Sequence, residues 1–359
     1  MRTACLAIGL AACAIAGTPA GGGGGGGDAQ ATPDGGTVTP VCTMSCDDSD
    51  ACTTDSCDPS TNACTHATAS CDDGNACTTD TCDMVTGCAH ANLNHGTQAF
   101  TATGALQAFT VPSCVTSLHV VVAGAQGGSV TGQAFTGGLG ATLEGDFTVA
   151  PAQMVSIVVG GLGTNGIGSD ASQRSGTGGG GSYAVQDTTI LAIAGGGGGA
   201  GGSVAVTNGG GCDGGPGLVT QNGAPGSGAV AGAAGGTAGG GGTTFANSAY
   251  QGGTGGGGYA GNGVNNSNGN SGTANGPGAS FTNGSAGGAA GNQGRPGGFG
   301  GGGAAGFTGG GGGGYSGGGA GGYGTGTYNG GGGGSINNGT NAINTPGNHL
   351  GAGTIVLTW

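Results

Sequence analysis

The chain has 359 residues, of which 102 are glycine, and its 16 acidic residues outnumber three arginines to give a formal net charge of −13. The glycines follow no strict three-residue period, which excludes a collagen triple helix. Because no basic patch is present, nucleic acid is excluded as a partner, and so is the attraction of basic segments to anionic membranes.

The chain begins with the apolar run Thr3–Gly17, which is too short to cross a bilayer and is typical of a signal peptide spanning residues 1–20. No later apolar stretch is long enough for a transmembrane span. Residues 21–41 start with seven consecutive glycines and continue with small and polar residues, a composition that predicts a flexible linker.

Two processing sites compete within this leader. Ala14–Ala16 and Thr18–Ala20 offer small residues for signal cleavage. Leu10–Cys13 instead resembles a bacterial lipobox, which would make Cys13 a lipidated anchor. The sequence leaves both alternatives open.

Residues 42–95 form a cysteine-rich module that contains an internal repeat. CDDSDACTTDSCDPSTNAC, from Cys46 to Cys64, is followed by CDDGNACTTDTCDMVTGC, from Cys71 to Cys88. Both copies lack aromatic residues and have almost no large aliphatic ones, so they cannot bury a core. Disulfides are therefore expected to hold them, and the Cys-x-x-Cys pairs of a zinc site are absent.

The cysteine count predicts a disulfide pattern. Each copy has four cysteines, which predict two bridges with three possible connectivities. Cys114 and Cys212 are predicted to pair in the glycine-rich domain, which leaves Cys42 as the odd cysteine, free or bonded to another chain. The repeat cysteines are Cys46, Cys52, Cys57 and Cys64, then Cys71, Cys77, Cys82 and Cys88.

The core pattern CDDGNxCTTDxCD, seen from Cys71 to Asp83, resembles the slime-mould cysteine-rich extracellular-matrix repeat. The first copy departs from it at Ser49–Asp50, where that family has Gly-Asn. The resemblance implies an extracellular, structural role for about 45 residues of the chain.

The acidic residues recur with the cysteines and offer oxygen ligands that suit Ca²⁺ in a small loop. The alternative is that they cap turns between disulfides, since the EF-hand spacing and any glutamate are missing from the repeats. His66 and His90 occupy matching positions near a cysteine. As zinc ligands they would work with free thiolates, which export disfavours, so they are expected to be surface residues and no cofactor other than Ca²⁺ is predicted. The candidate calcium ligands are Asp72, Asp73, Asn75, Asp80 and Asp83.

Residues 96–359 begin and end with segments typical of strands. Alternating or β-branched patterns predict a β sandwich whose first and last strands meet, with the glycine-rich segment as a large insertion. The predicted strands are residues 99–103, 108–111, 118–122, 142–149, 155–159, 189–194 and 354–359.

The insertion, residues 195–353, consists mostly of glycine, alanine, asparagine, serine and threonine. Because glycine lacks a Cβ, extended three-fold helices can approach closely and pair their amide and carbonyl groups. A bundle of polyglycine-II-type helices is therefore expected rather than disorder.

Several glycine-containing segments occur in a characteristic order. Together they resemble the glycine-rich domain of anaplastic-lymphoma-kinase-type receptors and its bacterial relatives. The resemblance implies a jelly-roll-like sandwich carrying polyglycine helices over about residues 97–359, and a domain of this kind helps those receptors to bind an extracellular protein ligand. The segments are VVVAGAQGG at 120–128, GGLGA at 137–141, VVGGLGTNG at 158–166, GGGGSY at 178–183 and LAIA at 191–194.

No pair of acids and bases is spaced for catalysis, and the GYSGG sequence at 314–318 lacks the strand and helix that flank a nucleophile elbow. We therefore predict a mainly β, non-catalytic exported protein of the cell surface or extracellular matrix. Its role would be structural or adhesive, with the glycine-rich domain as the exposed head. The alternative is a module that binds an extracellular glycan or protein, with scattered aromatic residues as anchors instead of packing between glycine helices.

Overall fold

A computed structural model describes residues 42–168, 173–202, 212–228, 232–245, 252–266, 274–292, 294–322 and 328–359. The predicted signal peptide, the Cys13 lipobox and the linker lie outside these residues. The chain divides into two compact units, one ending at Ala69 and the other running from Ser70 to Trp359. The second repeat thus belongs to the same unit as the glycine-rich domain, whereas the sequence placed a boundary at residue 95.

Each repeat folds into an antiparallel hairpin. In the first, β1 (Thr53–Asp58) pairs with β2 (Ala63–Thr68), and in the second, β3 (Thr78–Asp83) pairs with β4 (Gly87–Asn92). Four residues join the strands of the first hairpin and three join those of the second. This difference explains why the fourth cysteines, Cys64 and Cys88, are 24 residues apart, whereas the first cysteines, Cys46 and Cys71, are 25 residues apart.

One disulfide recurs at the same place in both repeats and joins the first cysteine of the copy to the fourth: Cys46–Cys64 and Cys71–Cys88. The predicted second bridge within each copy is wrong. The remaining two cysteines of a copy are five positions apart along an extended strand, roughly 16 Å, whereas a disulfide requires Cα atoms within about 7 Å. Cys57 instead bonds Cys42.

The predicted Cys114–Cys212 bridge is also wrong, as is the assignment of Cys42 as the odd cysteine. Cys114 lies in the loop before β7 and bonds Cys77 of the second repeat, with Cα atoms 5.5 Å apart. Cys212 pairs through its backbone with Gly201 inside the glycine region and is the free thiol among the described cysteines. Cys52 and Cys82 are disulfide-bonded as well.

Two antiparallel five-stranded sheets form the sandwich, and a two-stranded parallel pair, β8 (Val130–Thr131) and β11 (Gly166–Ile167), lies beside them. Sheet I has the order β14 (Ile336–Asn337), β13 (Thr189–Ala194), β12 (Ser182–Gln186), β10 (Met154–Val158) and β6 (Gln107–Thr110). Sheet II has the order β15 (Thr340–His349), β9 (Gly140–Thr148), β7 (Ser117–Ala123), β16 (Thr354–Thr358) and β5 (Thr97–Thr101).

The core lies between the two sheets. Strand β7 alternates exposed and buried positions, as a strand with one buried face should, and its Leu118 and Val120 are fully buried. Ile157 of sheet I and Ile355 of sheet II join them in one cluster. The predicted mainly β fold is confirmed, and the helical turn of the described residues is a single 3-10 turn at Phe281–Asn283.

The first and last strands of the sandwich meet, as the sequence predicts. Strand β16 pairs with β5 on one side and with β7 on the other. The predicted segments match strands within two residues at each start, but β12, β15 and the two-residue strands β8, β11 and β14 were not predicted. Strand β15 is a polar, exposed edge strand containing Pro346, so it carries no hydrophobic pattern.

The glycine-rich region is an ordered bundle held by backbone hydrogen bonds. Residues 195–200 are here called the central glycine segment. The N–H groups from Gly196 to Ala200 donate to three neighbouring segments in turn, with a period of three residues, whereas the Gly195 N–H donates to the Ser335 hydroxyl. The donor–acceptor pairs, with N···O distances of 2.8–2.9 Å, are Gly196–Gly313, Gly197–Ala125, Gly198–Gly215, Gly199–Gly310 and Ala200–Gly128.

The carbonyl groups of the central glycine segment follow the same period. They accept from three further segments, residues 138–141, 176–179 and 330–333, at N···O distances of 2.9 Å. The segment is therefore surrounded by six hydrogen-bonded neighbours, as in a lattice of extended helices with three residues per turn. A Cβ built on Gly197 would overlap the carbonyl of Gly138, so this spacing requires glycine.

Candidate functional site

The polar side chains of the two repeats converge in one cluster per hairpin. The register places Asp55 directly opposite His66 in the first hairpin and Asp80 directly opposite His90 in the second. Side chains at directly opposed positions of antiparallel strands lie on the same face and can touch. A second aspartate from the loop before each hairpin, Asp48 or Asp73, completes the group.

In the first repeat, two carboxylates face the same imidazole nitrogen. His66 Nδ1 lies 2.7 Å from Asp55 Oδ1 and 3.2 Å from Asp48 Oδ2. The other oxygen of each carboxylate accepts further hydrogen bonds. Asp48 Oδ1 accepts from the Thr53 hydroxyl at 3.0 Å and from the Asp50 N–H at 2.9 Å. Asp55 Oδ2 accepts from the Asp48 N–H at 3.1 Å.

The second repeat reproduces this arrangement. His90 Nδ1 lies 2.8 Å from Asp80 Oδ1 and 3.6 Å from Asp73 Oδ2. Asp73 Oδ1 accepts from the Thr78 hydroxyl at 3.0 Å and from the Asn75 N–H at 2.8 Å. The cluster is thus built into the repeat, because each anchoring residue occurs at the same position in both copies.

These contacts shift the titration of the groups. The hydrogen bond to Asp55 raises the pKa of His66, and the bond to Asp80 raises that of His90, because each carboxylate favours the charged imidazole. The same bonds lower the pKa of Asp55 and of Asp80. Both histidine side chains are 38% exposed, so the clusters open to solvent.

The five predicted calcium ligands serve different purposes. Asp73 and Asp80 belong to the cluster with His90. Asp72 accepts from the Gly74 N–H at 2.8 Å, Asn75 accepts from the Cys77 N–H at 3.0 Å, and Asp83 accepts from Val85 and Thr86. These last contacts cap turns, which is the alternative that the sequence left open.

A third group of acids and a histidine lies on sheet II and was not recognised in the sequence. His119 Nδ1 is 2.7 Å from Asp146 Oδ1, and its Nε2 is 3.3 Å from Glu144 Oε1. Asn341 donates to the other oxygen of Asp146 at 2.8 Å, and together with His119 it lowers the pKa of Asp146. The signal was the i, i+2 spacing of the two acids, which puts both on one face of β9.

The aromatic residues of the glycine region mostly cover sheet I. Tyr183, fully buried on the outer face of that sheet, stacks on Phe281 with ring centroids 5.2 Å apart, and Tyr259 stacks on Phe281 at 5.4 Å. Phe299 and Tyr315 pack against the same cluster. These rings serve packing, against a sheet face more than between glycine helices.

Comparison with known proteins identifies the two repeats. Residues 45–68 and 70–92 each match the model of the Dictyostelium (slime mold) repeat. No curated protein matches the chain. Across the part of the chain that the structure describes, none of the helices has the length and apolar character needed to cross a membrane.

The matching segments define a cysteine-rich repeat of the extracellular type, and the disulfides indicate an oxidising compartment.

Proposed function

We propose that this chain is an exported, non-catalytic protein of the cell surface or extracellular matrix, with a structural or adhesive role. The observation that carries the proposal is the Cys77–Cys114 disulfide, which joins a slime-mould-type repeat covalently to the β sandwich. A bond of this kind persists outside the reducing cytosol. The glycine-rich domain would be the exposed head.

The bundle suits such a head because it is rigid at the level of the backbone. Each turn of the central glycine segment is hydrogen bonded to six neighbours, so ordering does not depend on large side chains. A rigid surface presents contacts to a partner without a further loss of conformational entropy on binding.

We further propose that residues about 97–359 are related to the glycine-rich domain of anaplastic-lymphoma-kinase-type receptors. Two antiparallel sheets combined with a three-fold glycine bundle support this relationship, because the resemblance implies both features together. On this proposal the partner would be an extracellular protein.

A non-catalytic role is supported by the surroundings of the residues that could react. Ser316, the serine of the GYSGG sequence, is fully buried, and its hydroxyl accepts from the Gly239 N–H at 3.1 Å. Asp213 accepts from the backbone and hydroxyl of Thr136. Both side chains therefore make structural hydrogen bonds, and the buried Ser316 is not accessible to a substrate.

Surface labelling of intact cells tests the proposal. Antibodies raised against the full oxidised chain should stain unpermeabilised cells or their matrix, and external protease should remove the signal. A cytosolic protein of the same cells serves as the control for leakage. Staining that requires permeabilisation would show that the protein is not at the surface. If deletion of the gene leaves cell adhesion and matrix integrity unchanged, the structural or adhesive role is wrong.

A further inference from the structure

We propose that each repeat binds one divalent transition-metal ion, with Zn²⁺ preferred, through its histidine and two aspartates. The ligands would be His66, Asp48 and Asp55 in the first repeat. In the second they would be His90, Asp73 and Asp80. In each set the nitrogen and the two carboxylate oxygens lie within 4.8 Å of one another.

The distances fit ligands of one small ion. Zinc–nitrogen and zinc–oxygen bonds of about 2.0–2.2 Å in a tetrahedral site separate the ligand atoms by roughly 3.3 Å. The two carboxylate oxygens lie 2.7 and 3.2 Å from His66 Nδ1, and 2.8 and 3.6 Å from His90 Nδ1. One N–H can donate along only one good direction, whereas an ion between the three atoms would satisfy both carboxylates.

The carboxylates are oriented before any ion arrives. The hydroxyl of Thr53 and backbone N–H groups hold the rear oxygens of Asp48 and Asp55, which leaves one oxygen of each facing the imidazole. Thr78 has the same role behind Asp73 in the second repeat. Hydrogen bonds of this kind orient metal ligands and are worth a substantial part of the affinity.

The donor set selects the metal. Ca²⁺ takes six to eight oxygen ligands, whereas an imidazole nitrogen with carboxylates suits Zn²⁺ and its neighbours in the first transition row. The three donors of a repeat leave a fourth tetrahedral position for water or a ligand from a partner. Cys71 and Cys88 lie close together but share a disulfide, so they offer no thiolate.

His119 of sheet II differs from the histidines of the repeats, each of which has two carboxylates near the same ring nitrogen. Asp146 faces Nδ1 of His119 but Glu144 faces Nε2, so the two carboxylates lie at opposite sides of the ring. A single ion cannot contact both of them and the imidazole. His119 is therefore a natural negative control within the same chain.

Titration of the full oxidised chain with Zn²⁺, with binding measured by calorimetry, tests the proposal. We expect two equivalents of Zn²⁺ to bind, with one lost in His66→Gln, the other lost in His90→Gln, and no change in His119→Gln or His95→Gln. Thr53→Val should weaken the first site about tenfold. His66, His90 and His95 are exposed, whereas Thr53 and His119 are half-buried. Intact disulfides and an unchanged circular dichroism spectrum should therefore confirm folding of every variant.

Two outcomes would overturn the proposal. One is an absence of zinc binding, which would leave each cluster as a histidine hydrogen bonded to an aspartate. The other is binding that persists in the double variant His66→Gln/His90→Gln. A competition with Ca²⁺ at equal concentration checks the choice of metal, and displacement of zinc by calcium would contradict it.

Discussion

Gly96 and Trp359 exchange two backbone hydrogen bonds, with N···O distances of 2.8 and 2.9 Å, and so close sheet II at the junction of the repeats and the sandwich. The indole ring of Trp359 covers Gly96 so closely that a Cβ on residue 96 would overlap it. The same ring packs on Phe109 of sheet I, with centroids 5.1 Å apart. One residue thereby joins both sheets.

Replacement of Trp359 tests this closure. We expect Trp359→Ala to lower the free energy of unfolding by about 3 kcal/mol, because it removes a large partly buried ring from the edge of the core. Urea unfolding followed by circular dichroism measures the change. Thr358→Ala, at the neighbouring half-buried position, is the control and should cost less than about 1 kcal/mol. Equal stabilities of the two variants would contradict the role of the ring.

Close packing of the glycine bundle predicts an unusual cost for adding one methyl group. Gly197→Ala should destabilise the domain by about 3 kcal/mol or more, because its Cβ would overlap the Gly138 carbonyl and spread the lattice. Gly132 has a positive φ of 79° but open space around its Cα, so Gly132→Ala should cost only about 1–2 kcal/mol. Urea unfolding measures the free energy of unfolding of both variants, and equal losses would contradict the close packing of the bundle.

The disulfide between the second repeat and the sandwich should contribute to stability. It closes a segment with a sequence separation of 37 residues, and loop-closure entropy gives about 3–4 kcal/mol for a loop of that size. We expect the variant Cys77→Ser/Cys114→Ser to lose most of this stabilisation, and its second repeat to become sensitive to protease. Cys212→Ser removes a thiol that is not bonded, and it should leave the melting temperature within the range of ordinary surface variants.

Asp58 should be unusually acidic for an exposed aspartate. The hydroxyl of Ser60 donates to it at 2.7 Å, and with the Ser60 N–H and the Thr61 hydroxyl it lowers the pKa from 3.8 to about 2. Because the folded pKa lies below the unfolded one, the turn is stabilised above about pH 4, and this stabilisation is lost as the pH falls toward 2. Carboxyl NMR titration measures it directly. Ser60→Ala should move the pKa back toward 3.8, and an unmoved value would contradict the assigned cause.

The sequence predicted much of the fold because its hydrophobic strands are strongly patterned. Leu118–Val122 and Thr354–Trp359 alternate or run as β-branched segments, and both became strands of sheet II. Strand β15 was not predicted because an exposed edge strand has no buried face and therefore no alternating apolar pattern. The three-fold glycine lattice was expected from the missing Cβ atoms, but its particular neighbours depend on contacts far apart in sequence.

The sites were less predictable than the fold. The four cysteines of each copy predicted two bridges within that copy. An extended strand holds the second and third cysteines too far apart to bond, and cysteines outside the copies, Cys42 and Cys114, bond Cys57 and Cys77 instead. The pairing of Asp55 with His66 required the hairpin register, which follows only once the turn length is known. The aspartates that looked alike in sequence divide into turn caps and cluster members.

Amide hydrogen exchange of the glycine bundle tests the central claim most directly. If residues 195–200, 310–313 and 330–333 pair their backbones as described, their N–H groups should exchange far more slowly than those of an unstructured peptide of the same sequence, with protection that approaches that of the core strand β7. Exchange at the rate of the free peptide in these residues, with β7 still protected, would contradict an ordered bundle and remove the rigid head on which the proposed function rests.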